Sequence, residues 1–456
     1  MPKATCPAIL VAAPASGQGK TTVACALAHL YTRQGLTVRV FKCGPDFLDP
    51  YWLELASGAP VYQLDLWMTG EADCAQRLHD AASVADLIVV EGVMGLYDGD
   101  PSAADLAQHF GLHVLAVIDA GAMAGTFGAL AHGLQTYRDG LKFAGVLANR
   151  VASSGHAEML KVSLRDPQQW QGALMRDAAL TLPERHLGLV MATELADAMA
   201  RLDAAADALA ATPLGQKNAE DLTAWAVTFS APESKPVSVR PLTGQTIAVA
   251  KDAAFCFIYT ANIDCLQQLG AEVVYFSPLH DVELPSCDAL WLPGGYPELH
   301  TQTLINNDTM AESIRQHVHN AKPIWAECGG MMALFDSIET IDGVVHPMWG
   351  LLPGHVSMQK RLAALGPQQL NAFEKSSESP EALEPLDLPL RGHTFHYSTC
   401  TTDLEPITRT KATPGKTLRG EGEALYQAGS IRASYFHAWF ASSPAATAQL
   451  FLKDAR

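Results

Sequence analysis

A phosphate-binding loop is indicated by the segment PASGQGKT, residues 14–21, which follows an apolar run and precedes an apolar-periodic stretch. In such a loop, backbone N–H groups surround a polyphosphate, a lysine reaches its outer phosphates, and a Ser or Thr hydroxyl binds Mg2+. Pro14 stands where the usual pattern has glycine, so the interpretation depends on the flanking strand and helix. We predict a nucleoside triphosphate site whose contacts come from Ser16, Gly17, Gln18, Gly19, Lys20 and Thr21.

Three carboxylates are expected to supply a metal site beside this loop. Asp46 and Asp49 follow the second predicted strand in KCGPDFLDP, and Glu91 ends the third in VVEGVMGLYDG. Because parallel strands end at one edge of a sheet, these side chains are predicted to join Thr21 around Mg2+. The structural alternatives are turn caps for the two Asp residues and a first-turn helix acid for Glu91. Asn149, which closes a further strand, is a candidate for reading the nucleotide base.

A second kind of chemistry, nucleophilic attack by a thiolate, is indicated at Cys328. The residue lies between the apolar segments PIW and MMALF, so we expect it on a sharp strand-to-helix turn. Such a turn is expected to expose the thiol, and the helix N-terminus is expected to lower its pKa. The N–H groups of Gly329 and of Gly295, in LPGGYPEL, are predicted to hold a developing oxyanion.

A thiolate nucleophile needs a base, and a histidine near the end of the sequence is the first candidate. His437 in SYFHAWF follows an apolar strand, and His393 and His396 in RGHTFHYS are its competitors. The remaining cysteines are assigned to packing. Isolated histidines such as His29 and His79 are assigned to the surface or to packing.

The elements that must position these groups come in two series. Short apolar runs alternate with helical stretches, which is typical of parallel sheets covered by helices on both faces. The first series of predicted strands is 9–13, 38–41, 87–90, 114–118, 146–148 and 187–190, and a second series starts at Ile247. We therefore predict an α/β protein with two doubly wound, mainly parallel-sheet domains. The predicted boundaries are 1–200 for the first domain, 201–244 for a helical tail and linker, and 245–456 for the second domain.

Charge and composition limit the classes of function. The 456 residues carry a formal charge of −17, which argues against nucleic acid or an anionic membrane surface as a partner. Nine scattered cysteines without zinc-like spacing suit a reducing cytosol better than a disulfide framework. The apolar stretch 113–134 contains Asp119 and four glycines, so we expect a strand and a helix there rather than a membrane span. We expect no export signal and a cytoplasmic location.

Seven segments spread over nearly the whole chain resemble the cobyrinic acid/hydrogenobyrinic acid a,c-diamide synthase family. They are SGQGKTT, GPDFLDP, EGVMGLYDG, LPGGYPEL, AECGGMM, RGHTFHYS and SYFHAWF, in the family's order. The resemblance implies an N-terminal P-loop NTPase-like domain similar to dethiobiotin synthetase and a C-terminal class I glutamine amidotransferase domain. It also implies ATP bound at residues 17–22, including Thr22. Three positions depart from the family pattern: Trp439 where many such glutaminases have Glu, Thr394 where Glu is more usual, and Leu53 in place of His.

The resemblance implies a reaction in two halves. Cys328 attacks the side-chain amide of glutamine, Gly295 and Gly329 stabilise the oxyanion, and His437 transfers protons, releasing ammonia inside the protein. ATP, with Mg2+, phosphorylates a carboxylate of a corrinoid polycarboxylate, and ammonia displaces the phosphate to leave an amide. Two rounds would convert the a and c acetate side chains, a step of cobalamin biosynthesis. The oligomeric state stays open, with a homodimer among the alternatives.

Two other functions stay open at this level. Cobyric acid synthase shares both domain types and amidates other corrinoid carboxylates, although GPDFLDP and EGVMGLYDG favour the a,c enzyme. A switch ATPase of the partitioning type, with an inactive glutaminase domain, would bind partner proteins and hydrolyse no glutamine. The sequence does not distinguish a cobalt-containing from a cobalt-free substrate.

Overall fold

Two units, Met1–Ser234 and Lys235–Arg456, make up the chain. The computed structural model describes residues 2–185, 188–233, 239–371, 388–412 and 421–453. Within these ranges, no helix has both the length and the apolar character that crossing a membrane requires. Each unit is built on its own sheet, and the candidate site residues lie at the ends of the strands.

The first unit alternates strands and helices along most of its length. Its strands are β1 (Lys3–Ala12), β2 (Val38–Cys43), β3 (Tyr62–Leu64), β4 (Leu87–Glu91), β5 (His113–Asp119), β6 (Phe143–Val151), β7 (Trp170–Met175), β8 (Glu184–Arg185), β9 (Gly188–Leu189) and β10 (Ala226–Ser230). Its helices are α1 (Lys20–Arg33), α2 (Asp49–Ser57), α3 (Glu71–Ala82), α4 (Ala103–Phe110), α5 (Thr126–Thr136), α6 (Ser154–Val162), α7 (Ala198–Ala210) and α8 (Ala219–Leu222).

A parallel sheet with covered faces forms the centre of the first unit. Its strand order is β3-β2-β4-β1-β5-β6-β7, and β10 pairs antiparallel with β1. Because successive side chains of a strand point to opposite faces, Leu10 of β1 packs into one core, with α3 to α6. Ile9 and Val11 pack into the other core, with α1, α2 and α7. Burial on both faces explains the continuous apolar runs of these strands.

One predicted strand of the first series is wrong, and three strands of the sheet, β3, β7 and β10, were missed. Residues 187–190 do not join the sheet: Gly188–Leu189 pairs antiparallel with Glu184–Arg185, and Leu187 lies outside the described residues. The sheet ends instead with β7, which sequence reasoning missed because Gln171 and Gly172 interrupt its apolar run.

The segment predicted as a helical tail and linker, 201–244, contributes to the first unit. Helix α7 packs on α1, and β10 forms backbone pairs with β1. Helix α7 therefore extends the helix layer beside α1, and β10 extends the sheet beside β1. We propose that the first domain extends through β10 and that the second begins with β11 (Thr246–Ala250).

The second unit combines a larger sheet with two smaller ones. After β11 its strands are β12 (Glu272–Phe276), β13 (Ala289–Leu292), β14 (Ile324–Glu327), β15 (Phe335–Glu339), β16 (Val345–Pro347), β17 (Leu352–Met358), β18 (Ala364–Leu370), β19 (Leu390–His396), β20 (Ser398–Thr401), β21 (Thr408–Arg409), β22 (Lys411–Ala412), β23 (Ala424–Ala428), β24 (Ile431–Ser434) and β25 (His437–Ala438). Its helices are α9 (Thr260–Gln268), α10 (Thr301–Asn306), α11 (Asp308–His319), α12 (Gly329–Leu334) and α13 (Pro444–Phe451).

The larger sheet of the second unit has the order β12-β11-β13-β14-β24-β23-β21, parallel as far as β24 and antiparallel beyond it. On β14, Ile324 and Ala326 face one core and Trp325 faces the other, so this strand too is buried on both sides. The smaller sheets are β16-β15-β17-β20 and β22-β18-β19-β25. The prediction of an α/β fold is confirmed, with a mainly parallel sheet in the first unit. In the second unit the larger sheet is mainly parallel, whereas the two smaller sheets are mostly antiparallel.

Candidate active site

The phosphate loop joins β1 to α1 at the carboxyl edge of the first sheet. Gly17 and Gly19 have φ values of 74° and 92°, and Gly19 directly precedes α1. A Cβ on Gly19 would lie 2.2 Å from Nδ2 of Asn149, so only glycine fits there. The residues predicted to bind phosphate therefore form one continuous loop at the N-terminus of a 14-residue helix.

Lys20 is held at the mouth of this loop by neutral acceptors. Its Nζ donates hydrogen bonds to the carbonyl oxygens of Ala15, at 3.1 Å, and Met94, at 2.6 Å. Burial lowers the pKa of Lys20, and the neighbouring Lys42 lowers it further. A phosphate oxygen would replace a neutral acceptor by a charged one, which forms a stronger hydrogen bond.

Lys42, which sequence reasoning did not single out, lies at the centre of the predicted metal ligands. Its Nζ is 2.6 Å from Asp49 Oδ2, 3.2 Å from Glu91 Oε1 and 4.0 Å from Asp46 Oδ2. The hydroxyl of Thr21 donates to Glu91 Oε1 at 2.6 Å. The three predicted carboxylate ligands thus lie around one ammonium group, and Thr21 is connected to them through Glu91. The available signal was a charged residue inside the buried run of β2.

Burial and charge together set the protonation of this cluster. Burial raises the pKa of Glu91 to about 7, against the opposing effect of Lys42. Burial, and then Asp49, raise the pKa of Asp46 to about 6. Burial alone would lower the pKa of Lys42, but Asp49 and Glu91 raise it well above its usual value. The ammonium therefore stays charged in the interior.

The cluster fits a magnesium ion by the chemistry of its donors. Mg2+ prefers oxygen ligands and retains several water molecules. Among the described residues, Glu91 Oε2 is a buried oxygen without a hydrogen-bond partner, whereas Oε1 is bonded to Thr21. No group of three or more His, Cys, Asp or Glu side chains in the described part of the chain is placed to hold a metal by itself. An ion here would need further ligands from water and phosphate, which is how Mg2+ binds beside nucleotides.

Asn149 faces the phosphate loop in this structure. Its Nδ2 donates to the carbonyl oxygen of Gln18 at 2.9 Å, and its Oδ1 accepts from the N–H of Arg150 at 2.9 Å. These bonds connect the amide to the loop backbone. Base reading by Asn149 stays a prediction.

Cys328 occupies the sharp turn between β14 and α12. Its φ and ψ are 45° and −106°, a strained conformation for a residue with a side chain, and its N–H donates to Ser434 O at 2.8 Å. The thiol residue is only 5% exposed, so the expectation of an exposed, low-pKa thiol is wrong for the free protein. Burial raises the pKa of Cys328, Glu298 raises it further, and the N–H of Gly329 does not compensate.

The two predicted oxyanion donors lie side by side next to Cys328. A Cβ on Gly329 would lie 2.8 Å from the backbone N of Gly295. A Cβ on Gly295 would lie 2.2 Å from the carbonyl oxygen of Ala254. Close backbone approach therefore requires glycine at both positions, and it places two N–H groups beside the thiol-bearing turn.

His437 lies against the same loop. A Cβ on Gly294 would be 2.4 Å from Cε1 of His437, which places the imidazole beside the residue that precedes Gly295. Its ring stacks on His393, with 5.2 Å between centroids and 20° between planes. Burial lowers the pKa of His437 well below its usual value, and His393 and His396 lower it further. A neutral imidazole can accept the thiol proton.

The two competing histidines have other partners. His393 Nδ1 and the hydroxyl of Tyr259 are hydrogen-bonded at 3.2 Å. His396 lies 3.2 Å from Glu423 Oε1 through Nε2 and stacks on Tyr435, with 3.8 Å between ring centroids. These surroundings favour His437 as the base and leave His393 and His396 in supporting positions.

The departures from the family pattern occupy buried positions. The hydroxyl of Thr394 donates a hydrogen bond to Glu423 Oε1 at 2.8 Å. A carboxylate therefore lies beside position 394, but it is supplied by Glu423, which directly precedes β23. Leu53, on α2, packs in the core that one face of the first sheet forms with α1 and α7.

A buried carboxylate links the nucleophile strand to the histidine strand. Glu327, directly before Cys328, accepts hydrogen bonds at Oε1 from the indole of Trp325, at 2.7 Å, and from the N–H of Ala438, at 3.2 Å. Burial raises the pKa of Glu327 to about 8. Glu327 thus contacts the backbone of Ala438, next to His437, whereas many glutaminases have their acid two residues after the histidine, where this chain has Trp439. Sequence reasoning missed Glu327.

Family models identify the class of each unit. Residues 9–190 match the CobQ/CobB/MinD/ParA nucleotide binding domain, and residues 246–445 match the CobB/CobQ-like glutamine amidotransferase domain. The phosphate loop and the Cys328 turn each fall inside the corresponding match. The chain therefore combines a nucleotide-binding domain with a glutamine amidotransferase domain.

Full-length relatives specify the family. A hydrogenobyrinate a,c-diamide synthase of Stutzerimonas stutzeri is 54% identical over 454 residues, which is 99% of each chain. The protein of that name from Pseudomonas aeruginosa is also 54% identical, over 99% of this chain and 98% of its own. A cobyrinate a,c-diamide synthase of Herminiimonas arsenicoxydans is 48% identical, over 97% and 96%. The chain belongs to the hydrogenobyrinate/cobyrinate a,c-diamide synthase family.

A solved structure described as a glutamine amidotransferase is also similar to part of the chain. It matches over 43% of this chain and 93% of its own, with 18% identity and a TM-score of 0.29. That score is too low to support a conclusion about the fold.

Proposed function

We propose that this protein catalyses the ATP- and glutamine-dependent amidation of the a and c carboxylates of hydrogenobyrinic acid or cobyrinic acid. One observation carries the proposal: a single chain contains both a phosphate loop with its carboxylate–lysine cluster and a strained cysteine turn with two adjacent backbone donors. The first arrangement suits activation of a carboxylate by phosphorylation, and the second suits release of ammonia from an amide. The names of the full-length relatives supply the substrate class.

The second unit generates ammonia. Cys328 Sγ attacks the side-chain carbonyl carbon of glutamine while His437 accepts the thiol proton. The N–H groups of Gly295 and Gly329 stabilise the resulting oxyanion, which collapses with loss of the C–N bond. His437 returns the proton to the departing nitrogen, and ammonia leaves. Water, deprotonated by the same imidazole, then hydrolyses the thioester to glutamate and free Cys328.

The first unit activates the acceptor. A carboxylate oxygen of the corrinoid attacks the γ-phosphorus of ATP, and ADP leaves. Ammonia then attacks the acyl carbon, the C–O bond to phosphate breaks, and loss of a proton leaves the amide. Lys20 is placed to hold the outer phosphates, and Lys42 to offset negative charge beside them. Residues Thr21, Asp46, Asp49 and Glu91 would hold Mg2+, which neutralises phosphate charge when bound.

The names of the relatives favour a cobalt-free substrate. Two relatives at 54% identity are named for hydrogenobyrinate, and one at 48% is named for cobyrinate. We therefore propose hydrogenobyrinic acid as the preferred substrate. Direct comparison of the two acids as substrates tests this preference.

We also propose a cytoplasmic location and no nucleic-acid partner. All nine cysteines are free thiols, which suits a reducing compartment. The formal charge of −17 opposes binding to a polyanion.

Substitution of Lys20 separates the two half-reactions. Lys20→Ala removes the cation that reaches the outer phosphates, so we expect no detectable amide formation, whereas glutamine hydrolysis in the second unit continues. Amide formation and glutamate release are measured in the same samples. Loss of both activities would contradict independent half-sites, and unchanged amidation would contradict the assignment of the phosphate loop.

A further inference from the structure

Two adjacent residues at the end of β6 hold the phosphate loop from outside. Arg150 Nη1 donates to the carbonyl oxygen of Gly17 at 2.9 Å, and Asn149 Nδ2 donates to that of Gln18 at 2.9 Å. Asp119, at the end of β5, forms hydrogen bonds both with Arg150 and with Gln18 of the loop. Its Oδ2 accepts from Arg150 Nη1 at 2.7 Å, and its N–H donates to Gln18 Oε1 at 2.9 Å.

These bonds fix the orientation of two successive peptide groups. In a planar trans peptide, the carbonyl of one residue and the N–H of the next point in opposite directions. With the carbonyls of Gly17 and Gln18 drawn toward Arg150 and Asn149, the N–H groups of Gln18 and Gly19 point to the other side of the loop. Those N–H groups are the ones that a phosphate-binding loop offers to its ligand.

The backbone of β6 is distorted where it delivers both side chains. In a regular strand, successive side chains point to opposite faces, so Asn149 and Arg150 could not reach one loop together. Arg150 has φ of 56°, and the pairing of β6 with β7 shifts register between Ala148 and Val151. Such an irregularity re-aims a side chain, and strain in a non-glycine residue persists only where its surroundings maintain it.

We propose that Asn149 and Arg150 are positioning residues that preorganise the phosphate loop for a triphosphate chain, whatever base the nucleotide carries. The proposal rests on the proposed function, because it presupposes that the loop binds nucleotide. It differs from base reading in one respect: removal of either side chain weakens binding of the phosphates themselves. Asp119 orients Arg150 and thereby supports the same contact.

Binding of ATP and of inorganic tripolyphosphate tests the proposal. Both ligands are titrated calorimetrically, with Mg2+, into the full-length wild type and into Arg150→Gln and Asn149→Ala. We expect each variant to weaken both ligands by the same factor, about tenfold, because a hydrogen bond to a loop carbonyl is lost. Arg176→Gln is the matched control, since the exposed Arg176 guanidinium lies beside Gly121, close to Asp119. Arg176→Gln removes the same charge as Arg150→Gln, and we expect it to weaken the binding of each ligand by less than about twofold.

Each other outcome overturns the proposal. Weaker ATP binding with unchanged tripolyphosphate binding would assign the two residues to the nucleoside. Unchanged binding of both ligands would show that the contacts do not organise the loop, and an equal effect of Arg176→Gln would indicate only electrostatic attraction. If the wild type binds neither ligand, the proposed function fails along with the inference.

A second variant covers the case in which Arg150→Gln or Asn149→Ala does not fold. Asp119→Asn keeps the size of the side chain and weakens its bond to Arg150. We expect it to weaken ATP and tripolyphosphate by the same factor, because Asp119 orients the Arg150 side chain that holds the loop, and unchanged binding of both ligands would overturn the proposal. Where Arg150→Gln does fold, Asp119→Asn should add little to its effect, because the two side chains act through one contact. Full additivity would contradict the coupling.

Discussion

The site in the first unit is built around a buried charged group, whereas the nucleophile and the base in the second unit are neutral. Lys42 stays an ammonium because Asp49 and Glu91 surround it. Burial raises the pKa of Cys328 and lowers that of His437, so thiol and imidazole are both uncharged before glutamine binds. The first site thus offers a charged group to ligands that carry phosphates and carboxylates, and the second site offers neutral groups to a neutral amide. Each site has the polarity of the group that it must bind.

The two sites also use backbone geometry differently. At the phosphate loop, side chains from neighbouring strands hold the backbone carbonyls, as Arg150 holds Gly17. At the cysteine turn, close backbone approach at Gly295 and Gly329 and the hydrogen bond from Cys328 N–H to Ser434 O set the geometry, and the strain is on Cys328 itself. Substitutions should therefore act on the first site through charge and on the second through packing.

The largest effect is expected from Cys328→Ala. Loss of the nucleophile should lower glutamine-dependent amidation by more than about 10^4-fold. Ammonium salts should restore amide formation, because the first unit is unchanged. Glutamate release and amide formation are measured together, with Cys400→Ala as the control for loss of a thiol elsewhere. Persistent glutamine hydrolysis in Cys328→Ala would assign the nucleophile to another residue.

A smaller but specific loss is expected from Lys42→Met. The variant leaves Asp49 and Glu91 without their buried cation, so ATP-dependent amidation should fall by about 10^2- to 10^3-fold. Glutamine hydrolysis should persist, because the second unit has its own core. The exposed Lys142, substituted in the same way, serves as control. Equal activities of Lys42→Met and wild type would show that the cluster takes no part in catalysis.

A pH-dependent change in stability is expected from Glu327→Gln. The pKa of Glu327 is raised from its usual 4.5 to about 8 in the folded chain, so the folded state retains a proton that the unfolded chain releases. The contribution of Glu327 to the free energy of unfolding should fall by about 1.4 kcal/mol per pH unit between those two values and then level off. Glutamine cannot titrate, so the variant should become progressively more stable than wild type from about pH 5 to 8.

Urea unfolding of the two proteins across this pH range measures the difference. Glu312→Gln, at an exposed position on α11, is the control for loss of a carboxylate. A stability difference that does not change with pH would contradict a protonated Glu327 in the folded state.

The smallest effect is expected from Tyr259→Phe. The hydroxyl is hydrogen-bonded to His393, which we place beside the base rather than in its role, so loss of the hydroxyl should change the rate of glutamine hydrolysis by less than about threefold. Steady-state kinetics with glutamine alone measures the change. A tenfold or larger loss of kcat at unchanged KM would place Tyr259 and His393 in the proton transfer.

The parts of the site that the sequence predicts are those with a local pattern. A loop of small residues before Lys20, and a cysteine followed by two glycines, need only neighbours in the chain to be recognised. The sequence ranks His437 above His393 and His396 only provisionally, because sequence position does not show which of the three imidazoles lies beside the cysteine turn. The structure separates them through Gly294, which lies far from His437 in sequence.

The parts that the sequence does not reveal depend on contacts between distant segments. The role of Lys42 requires Asp49 and Glu91 to meet it, and Arg150 acts on Gly17 across 133 positions. The exposure of Cys328 was wrong for the same reason: a local turn favours exposure, but the packed strands around β14 bury the thiol. Strand β7 was missed because it tolerates buried Gln171, whose amide donates to Ala144 O.

The most direct test of the account is mass spectrometry of hydrogenobyrinic acid and, separately, cobyrinic acid after incubation with the protein, ATP, Mg2+ and glutamine. Fragmentation then locates any new amides. We expect a diamide that carries its two amides at the a and c side chains and that forms more readily from hydrogenobyrinic acid. Consumption of ATP without any amide, or amides at other side chains, would contradict it.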